Sequence, residues 1–536
     1  MGLHTTWSKE PLLPNSLWRY DRPTLALSSL LEAATRASPD AVALVMGNRT
    51  WTFAQLSSAA EQFAFSLLAR GICPGDRIAL CLPNVPETVI ALWGVIKAGG
   101  VFVMVNATTK QDKLDFLLND CGAVALVTTQ ARQGAALFVN HPNLQSVFLT
   151  GFAGQPLALE DPRFVSFDEH AQARPLPQVS EADLAAILYT SGSTGFPKGV
   201  ALSHQNIATA TRAITEYLNL TPSDVLFNVL PLSFGYGLTQ LFSACAVRAT
   251  FVCEKDMLFP HVALTKIAEV RATGFAIVPT IAAMLLEYDL AKYDLSSLRY
   301  VTNAGAHLPA EYGQRLSRVL PNASLICMYG QTECLRISYL PASDFGARPE
   351  SVGKGIPYQQ LFLLDDEGNE VDGQAPGQLV VRGDHVMLRY WNSPEATAEK
   401  LRPPPPALRD RVGPSERLLF TGDLFRRDSE GYLYFVSRMD DIIKSRGEKV
   451  SPAEVERALL SMPGVAAAAV VGVERPNFGT VIKAVIVTAS GAALTDRDVK
   501  QYCAARLENY MVPGVVEFRD QLPTTERGKV DKSALT

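Results

Sequence analysis

Several things are missing from this chain, and each absence narrows what it can be. Its eight cysteines (Cys73, Cys81, Cys121, Cys245, Cys253, Cys327, Cys334 and Cys503) contain no Cys-x-x-Cys, and its seven histidines no His-x-x-x-His, so no zinc site is expected. It has no basic excess: 49 Lys and Arg against 54 Asp and Glu give 49 − 54 = −5, which argues against a dedicated nucleic-acid binder. No apolar run approaches the roughly 20 residues of a membrane-crossing helix. The longest candidate, Val465 to Val473, is about half that and rich in alanine. The opening residues, from Met1 to Thr6, show no charged segment leading into an apolar one, so no secretory signal is expected. Gly2 with Thr6 fits the N-myristoylation pattern, which is too short and common to carry weight. Internal repeats are absent as well.

What is present is a chain of 536 residues, 47% apolar and 19% charged, able to bury a large core. That length corresponds to about three to four domain-sized units. Thiols scattered through a chain this large point to a reducing compartment, and the expectation is a cytoplasmic protein.

The first half alternates strand and helix signals. Ser58 to Arg70 reads as a helix ending at Gly71, and Asp76 to Pro83 as a buried strand. Asn84 is expected to cap the next helix, with Glu87 three residues on and Gly99-Gly100 ending it. Gly100–Val105 and Val124–Thr128 read as further strands, so parallel sheets covered by helices are expected. Pro403 to Pro406 must form a stiff surface loop. The last hundred or so residues read as a separate α+β unit: a helix over Pro452–Leu460, strands at Val465–Gly472 and Val481–Val487, a helix capped by Thr495, and a strand near Val515–Phe518.

The strongest signal is Tyr189-Thr190-Ser191-Gly192-Ser193-Thr194-Gly195-Phe196-Pro197-Lys198-Gly199. An apolar strand, Ala185–Leu188, enters it and a short strand, Val200–Leu202, leaves it. The glycines let backbone N–H groups turn inward as an anion cradle, and the hydroxyls of Thr190, Ser191, Ser193 and Thr194 with the Lys198 ammonium suit a polyphosphate. It is not a Walker A loop, because Pro197 and Gly199 flank the lysine where that motif has Gly and Ser/Thr.

At this loop the chain resembles the adenylate-forming superfamily of acyl-CoA synthetases, nonribosomal peptide adenylation domains and beetle luciferases. Later segments resemble that family's motifs in order. Asn303-Ala304-Gly305-Ala306 is similar to its adenine- and acyl-binding turn, and Tyr329-Gly330-Gln331-Thr332-Glu333 to its Tyr-Gly-x-Thr-Glu motif. Thr421-Gly422-Asp423 matches the ribose motif, Arg438 to Lys444 the hinge, and Thr525 to Asp531 the terminal lysine loop. The resemblance implies a large N-terminal domain of layered α/β sheets with a β-barrel-like subdomain, residues 1–437, and a small mobile α+β C-terminal domain, 438–536. It implies ATP-dependent activation of a carboxylic acid as an acyl-adenylate, then transfer to the thiol of CoA or of a carrier-protein phosphopantetheine.

The same resemblance assigns residues. Lys529 bridges the substrate carboxylate and the α-phosphate, Glu333 holds magnesium, and Thr332 and Lys198 contact phosphate. Asp423 and Arg438 hold the ribose, Asp440 is the pivot, and Gly447 lines the thiol tunnel. Phe234 falls at the aromatic gate of the acyl tunnel, beside Gly235 and Tyr236. Relatives that activate α-amino acids place an aspartate where Gly235 stands, and a buried ammonium without a carboxylate would be costly, so an amino acid is disfavoured. Other expected walls are Tyr217, Pro279, Thr280, Ala304, Gly305, Tyr329, Gly330 and Leu335. None of them is charged, which favours a medium or long aliphatic acid or an aryl acid. Arg336, just beyond the magnesium motif, is expected to point to solvent, the alternative being that it reaches a polar substituent of the acid. A luciferase-like oxygenase lacks any supporting feature, and a non-enzymatic relative would be expected to have lost Lys529 or Glu333. A monomer or homodimer is expected.

Overall fold

Strand–helix alternation in the first half of the sequence becomes two large sheets. The structure is a computed structural model that describes residues 26–129, 140–151, 161–190, 197–371, 375–439, 441, 443–445, 448–475, 479–507, 509, 511–525 and 530–536. Expected site residues Ser191, Gly192, Ser193, Thr194, Gly195, Asp440, Gly447 and Lys529 lie outside these, as do Gly2 and Thr6.

Contacts divide the chain into two units: residues up to Gln360 with Val381–Leu419, and Leu361–Val380 with Phe420–Thr536. This division reflects packing density. The expected boundary at 437/438 is taken up below as a proposal.

In the first unit, one sheet runs in the spatial order Lys354–Gly355, Ser338–Tyr339, Ser324–Tyr329, Tyr300–Asn303, Gly274–Ile277, Val225–Asn228, Thr250–Cys253, Val42–Met46 and Arg49–Thr52. Its central strands are parallel and its edges antiparallel. The other runs Arg389–Tyr390, Lys198–Ser203, Leu184–Thr190, Val101–Met104, Arg77–Cys81, Ala125–Thr129, Ser146–Thr150 and Phe164–Ser166. Here too the middle is parallel, while Lys198–Ser203 turns back antiparallel on Leu184–Thr190. Central strands such as Val101–Met104 are buried at every position, which is why they read as unbroken apolar runs.

Helices fill the layers between. Pro86–Lys97 and Gly235–Val247 are apolar nearly all round, the signature of a helix covered on all sides. They meet edge-to-face through Trp93 and Phe242, with ring centroids 5.5 Å apart. Asn84 does not cap the first of these. Pro86 opens the helix after the extended Val85, and the Asn84 amide instead donates to the carbonyls of Leu230 and Glu254 and accepts from Leu232 N–H. A side chain already committed to a distant loop cannot also cap its own helix. The Ser58–Arg70 helix begins earlier, at Phe53, where Thr52 and Gln55 form a capping box.

The second unit has its own core. Val465–Arg475 and Gly479–Thr488 pair antiparallel, and Val515–Phe518 adds in parallel. Helices Pro452–Leu460 and Asp496–Ala504 cover one face, burying Val455, Leu459, Val470, Ile482, Ala484, Val499 and Cys503. The chain's tail returns to the sheet, where Leu535 packs with Ala469, Val471 and Val485. Thr524 and Val530 pair as an antiparallel bridge, and Asp531 N–H donates to Pro523 O at 2.8 Å. The chain on either side of the expected catalytic loop is therefore hydrogen-bonded and is no loose tail.

Candidate active site

Most of the expected site residues of the first unit sit at the carboxyl ends of its parallel strands. Asn303 and Tyr329 end neighbouring strands, and Thr190 ends a strand of the other sheet. In open α/β sheets this edge is where ligands bind, because helices cover the faces and loops of varied sequence cluster there.

Lys198 and Glu333, far apart in sequence, are joined by a residue the sequence reading did not single out. Arg389–Tyr390 pairs antiparallel with the strand leaving the glycine-rich loop, Tyr390 opposite Val200. Tyr390 Oη donates to Glu333 Oε1 at 2.5 Å, and the Lys198 ammonium lies 5.7 Å from the same ring. The main chain reinforces this, since Met387 N–H donates to Glu333 O at 2.7 Å and Trp391 N–H to Gly199 O at 2.6 Å. At the loop's entry, the Tyr189 hydroxyl donates to the Asp120 carboxylate, and Trp391 Nε1 donates to Asp120 O at 3.0 Å. One short edge strand thus ties the loop's exit to the Glu333 turn.

The turn itself is tightly folded. Cys334 N–H closes it onto Gln331 O at 3.1 Å, and Leu335 adopts a positive φ of 61°. Gly330 is required by contact: a Cβ there would lie 2.7 Å from Leu335 O and 2.9 Å from Arg336 Cα. Gly305 is required by conformation, with φ +88°, since a Cβ there would make only ordinary contact with Val278 Cγ1 at 3.6 Å. Asn303 is 1% exposed; its amide donates to Ala306 O at 3.3 Å, while its Oδ1 has no hydrogen-bond partner among the described residues. A buried acceptor left open at a strand end suits a ligand N–H.

Of the expected acyl-side residues, Tyr217, Tyr236 and Ala304 share one apolar cluster. Tyr217, Tyr300, Ala304, Met328 and Ile356 are buried there, with Tyr236 and Tyr339 packed against them. Tyr217 stacks on Tyr339 with centroids 4.2 Å apart, and burial pushes its hydroxyl up to about 12. Tyr236 Oη bonds to Thr302 O at 2.9 Å and to Thr302 Oγ1 at 2.7 Å. Phe234 caps the Gly235–Val247 helix, and a Cβ at Gly235 would touch Leu335 Cδ2 at 3.2 Å. Arg336 corrects the sequence reading: it is 2% exposed and lies over the Tyr236 ring at 5.1 Å. The turn's tight packing folds Arg336 inward, which residue type alone could not indicate. His385 is buried beside the Arg336 main chain and held neutral, its desolvation lowering it to about 4.

In the second unit Asp423 and Arg438 stand opposite each other on antiparallel strands and form an ion pair, Nε to Oδ1 3.3 Å. The Asp423 side chain is 4% exposed and that of Arg438 58%. Asp423 N–H donates to Thr421 Oγ1, which itself donates to Leu379 O.

Comparisons with known proteins bear on the whole chain. The chain is 33% identical over 502 residues to a feruloyl-CoA synthase from Amycolatopsis, covering 93% of this chain and 96% of that protein. The solved structure of an anthranilate CoA ligase in complex with anthranoyl-AMP superposes with a TM-score of 0.84 at 26% identity, covering 96% of this chain and 97% of that one. A linear gramicidin synthase from Brevibacillus parabrevis is 30% identical over 514 residues, which cover 95% of this chain, and there the chain spans 10% of the relative's length. The family model described as AMP-binding enzyme matches residues 31–391, and that of the AMP-binding enzyme C-terminal domain matches 454–529. With both models matched in order along one chain, the protein belongs to the AMP-binding enzyme family.

Proposed function

We propose that the protein is an AMP-forming acid–CoA ligase. A substrate carboxylate oxygen attacks the α-phosphorus of ATP, the bond to the β-phosphate breaks, and pyrophosphate leaves. The CoA sulfur then attacks the acyl carbon, AMP departs, and the thiol proton passes to solvent. The observation that carries this reading is the joining of Lys198 and Glu333 through Tyr390 at the strand ends. A cation and a carboxylate gathered on one tyrosine support a site for a polyphosphate with its metal.

In this reading the loop from Thr190 through Ser191, Gly192, Ser193, Thr194 and Gly195 to Lys198 cradles the phosphates, and Thr332 adds a hydroxyl donor. Asn303, Ala304, Gly305, Tyr329 and Gly330 receive the adenine, with the open Asn303 Oδ1 accepting an N–H from it. Asp423 and Arg438 take the ribose hydroxyls. Lys529 stabilises the charge that develops between carboxylate and α-phosphate. Residues 438–536 turn about Asp440 between the two half-reactions and bring Gly447 to the thiol path.

Among the described residues no group of three or more His, Cys, Asp or Glu could hold a metal by itself. Glu333 alone suits magnesium, which keeps its waters and takes its remaining ligands from phosphate. When bound, that ion neutralises phosphate charge. Glu333, oriented by Tyr390, presents one carboxylate oxygen to it.

The acid has an apolar or aromatic body, in keeping with the Tyr217–Tyr236–Tyr339 cluster. Its setting is the cytoplasm, in keeping with cysteines of which Cys73 alone is exposed. The test is acid-dependent ATP–pyrophosphate exchange over fatty, aryl and amino acids, followed by AMP release with and without CoA. Exchange with one acid class and CoA-accelerated turnover is expected. Exchange that CoA leaves unchanged would instead make a carrier-protein phosphopantetheine the acceptor.

A further inference from the structure

We propose that Arg336 is the counter-ion for a second carboxylate on the substrate, so that the activated acid is a dicarboxylic acid with an apolar or aromatic body. This deepens the ligase reading and rests on it. A guanidinium stays protonated in proteins, so it cannot escape burial by losing its charge. Arg336 is 2% exposed, yet among the described residues it makes no ion pair, and its Nε has no hydrogen-bond partner. A buried, unneutralised cation is costly, and the cost is offset when an anion arrives with the ligand.

Its neighbours mark that ligand as the acyl substrate. The guanidinium lies over the Tyr236 ring and faces the Tyr217 hydroxyl, both in the cluster that also holds Ala304. Tyr217 Oη donates to Met328 Sδ at 3.0 Å, a weak acceptor that a carboxylate oxygen would readily replace. A single planar fork and one hydroxyl match one carboxylate, in charge and in shape. A doubly charged phosphate would be left half neutralised there.

The experiment compares matched acids in pyrophosphate exchange: hexanoate with adipate, octanoate with suberate, benzoate with phthalate. For at least one pair the wild-type enzyme should favour the diacid in kcat/KM by roughly 10- to 100-fold. Arg336→Met should abolish that ratio, and Arg336→Lys should retain part of it. Equal or better use of every monoacid by the wild type overturns the proposal and needs no variant. So does an equal loss with both acids in Arg336→Met, or a loss confined to the KM for ATP, which would assign Arg336 to the nucleotide. Exchange with monoacids only removes the proposal and leaves the ligase reading intact. No exchange with any acid removes both.

Discussion

The two units hold their candidate chemistry in opposite ways. In the first, Glu333 is fixed by Tyr390, Asn303 is buried at a strand end, and Arg336 is enclosed among tyrosines. In the second, Asp423 is buried but its partner Arg438 has 58% of its side chain exposed, and exposed ion pairs contribute little to stability. Groups held rigidly suit binding and orientation. Groups held loosely suit exchange of partners, as the proposed function asks of a unit that serves two half-reactions. Under the proposed function, the first unit would set affinity and specificity and the second would supply the step that makes and spends the adenylate.

Lys529→Ala tests that division most severely. It should lower acid-dependent exchange by roughly 10²- to 10³-fold, the scale for removing a donor aimed at developing charge. ATP binding, measured by equilibrium dialysis, should persist. Thiolysis of acyl-adenylate supplied from outside should persist too. Equal loss of ATP binding would break the comparison, because the first unit would then not suffice for affinity.

Acid stability offers a second contrast, since Leu361–Val380 and Phe420–Thr536 contain no histidine and no tryptophan. His204 and His385, both in the first unit, are each lowered by burial to about 4, although Asp183 pulls His204 the other way. His204 Nδ1 accepts from Leu27 N–H at 3.3 Å, which requires that nitrogen to be unprotonated. The unfolded chain takes up these protons near its ordinary value, about 6.5, before the folded chain does. Their contribution is therefore complete above that pH and is lost progressively as pH falls toward 4. Each should cost about 1.4 kcal/mol per pH unit in that window. Urea unfolding followed by tryptophan fluorescence at pH 7 and pH 5 reads the first unit alone. His204→Gln should flatten the dependence, and an unchanged slope would count against the burial argument.

Replacing Tyr390 with Phe should have a smaller effect, about a tenfold fall in kcat, as Glu333 loses a charge-assisted hydrogen bond but keeps its backbone. Thermal stability should scarcely move. A loss of thermal stability equal to the loss of activity would make Tyr390 a structural strut.

Tyr390 also marks where the sequence ceased to be legible. The strands that flank the glycine-rich loop and the Thr495 cap are local patterns, and both are found where the sequence put them, whereas the Tyr-Gly-x-Thr-Glu motif was legible by resemblance. Helix Pro452–Leu460 and strand Val515–Phe518 have the expected bounds. Tyr390, Asn84 and Arg336 acquire their roles through partners 57, 146 and 100 residues away, as 390 − 333, 230 − 84 and 336 − 236 show. No local period encodes such contacts. The inward turn of Arg336 follows from the positive φ of Leu335 before it, a conformation that leucine gives no reason to expect.

The mildest test addresses the stability of the second unit without touching its chemistry. Thr495 accepts from Asp498 N–H, and Asp498 accepts in return from Thr495 N–H at 2.9 Å, a complete capping box on Asp496–Ala504. That helix buries Val499 and Cys503 against the small sheet. Thr495→Ala should cost about 1 kcal/mol, seen as faster amide exchange in Asp496–Ala504. Because the first unit has its own core, its tryptophan-detected unfolding midpoint should stay where it is. A shift of that midpoint by the same amount would mean that the two units unfold as one, and affinity could then no longer be assigned to the first unit independently of the second.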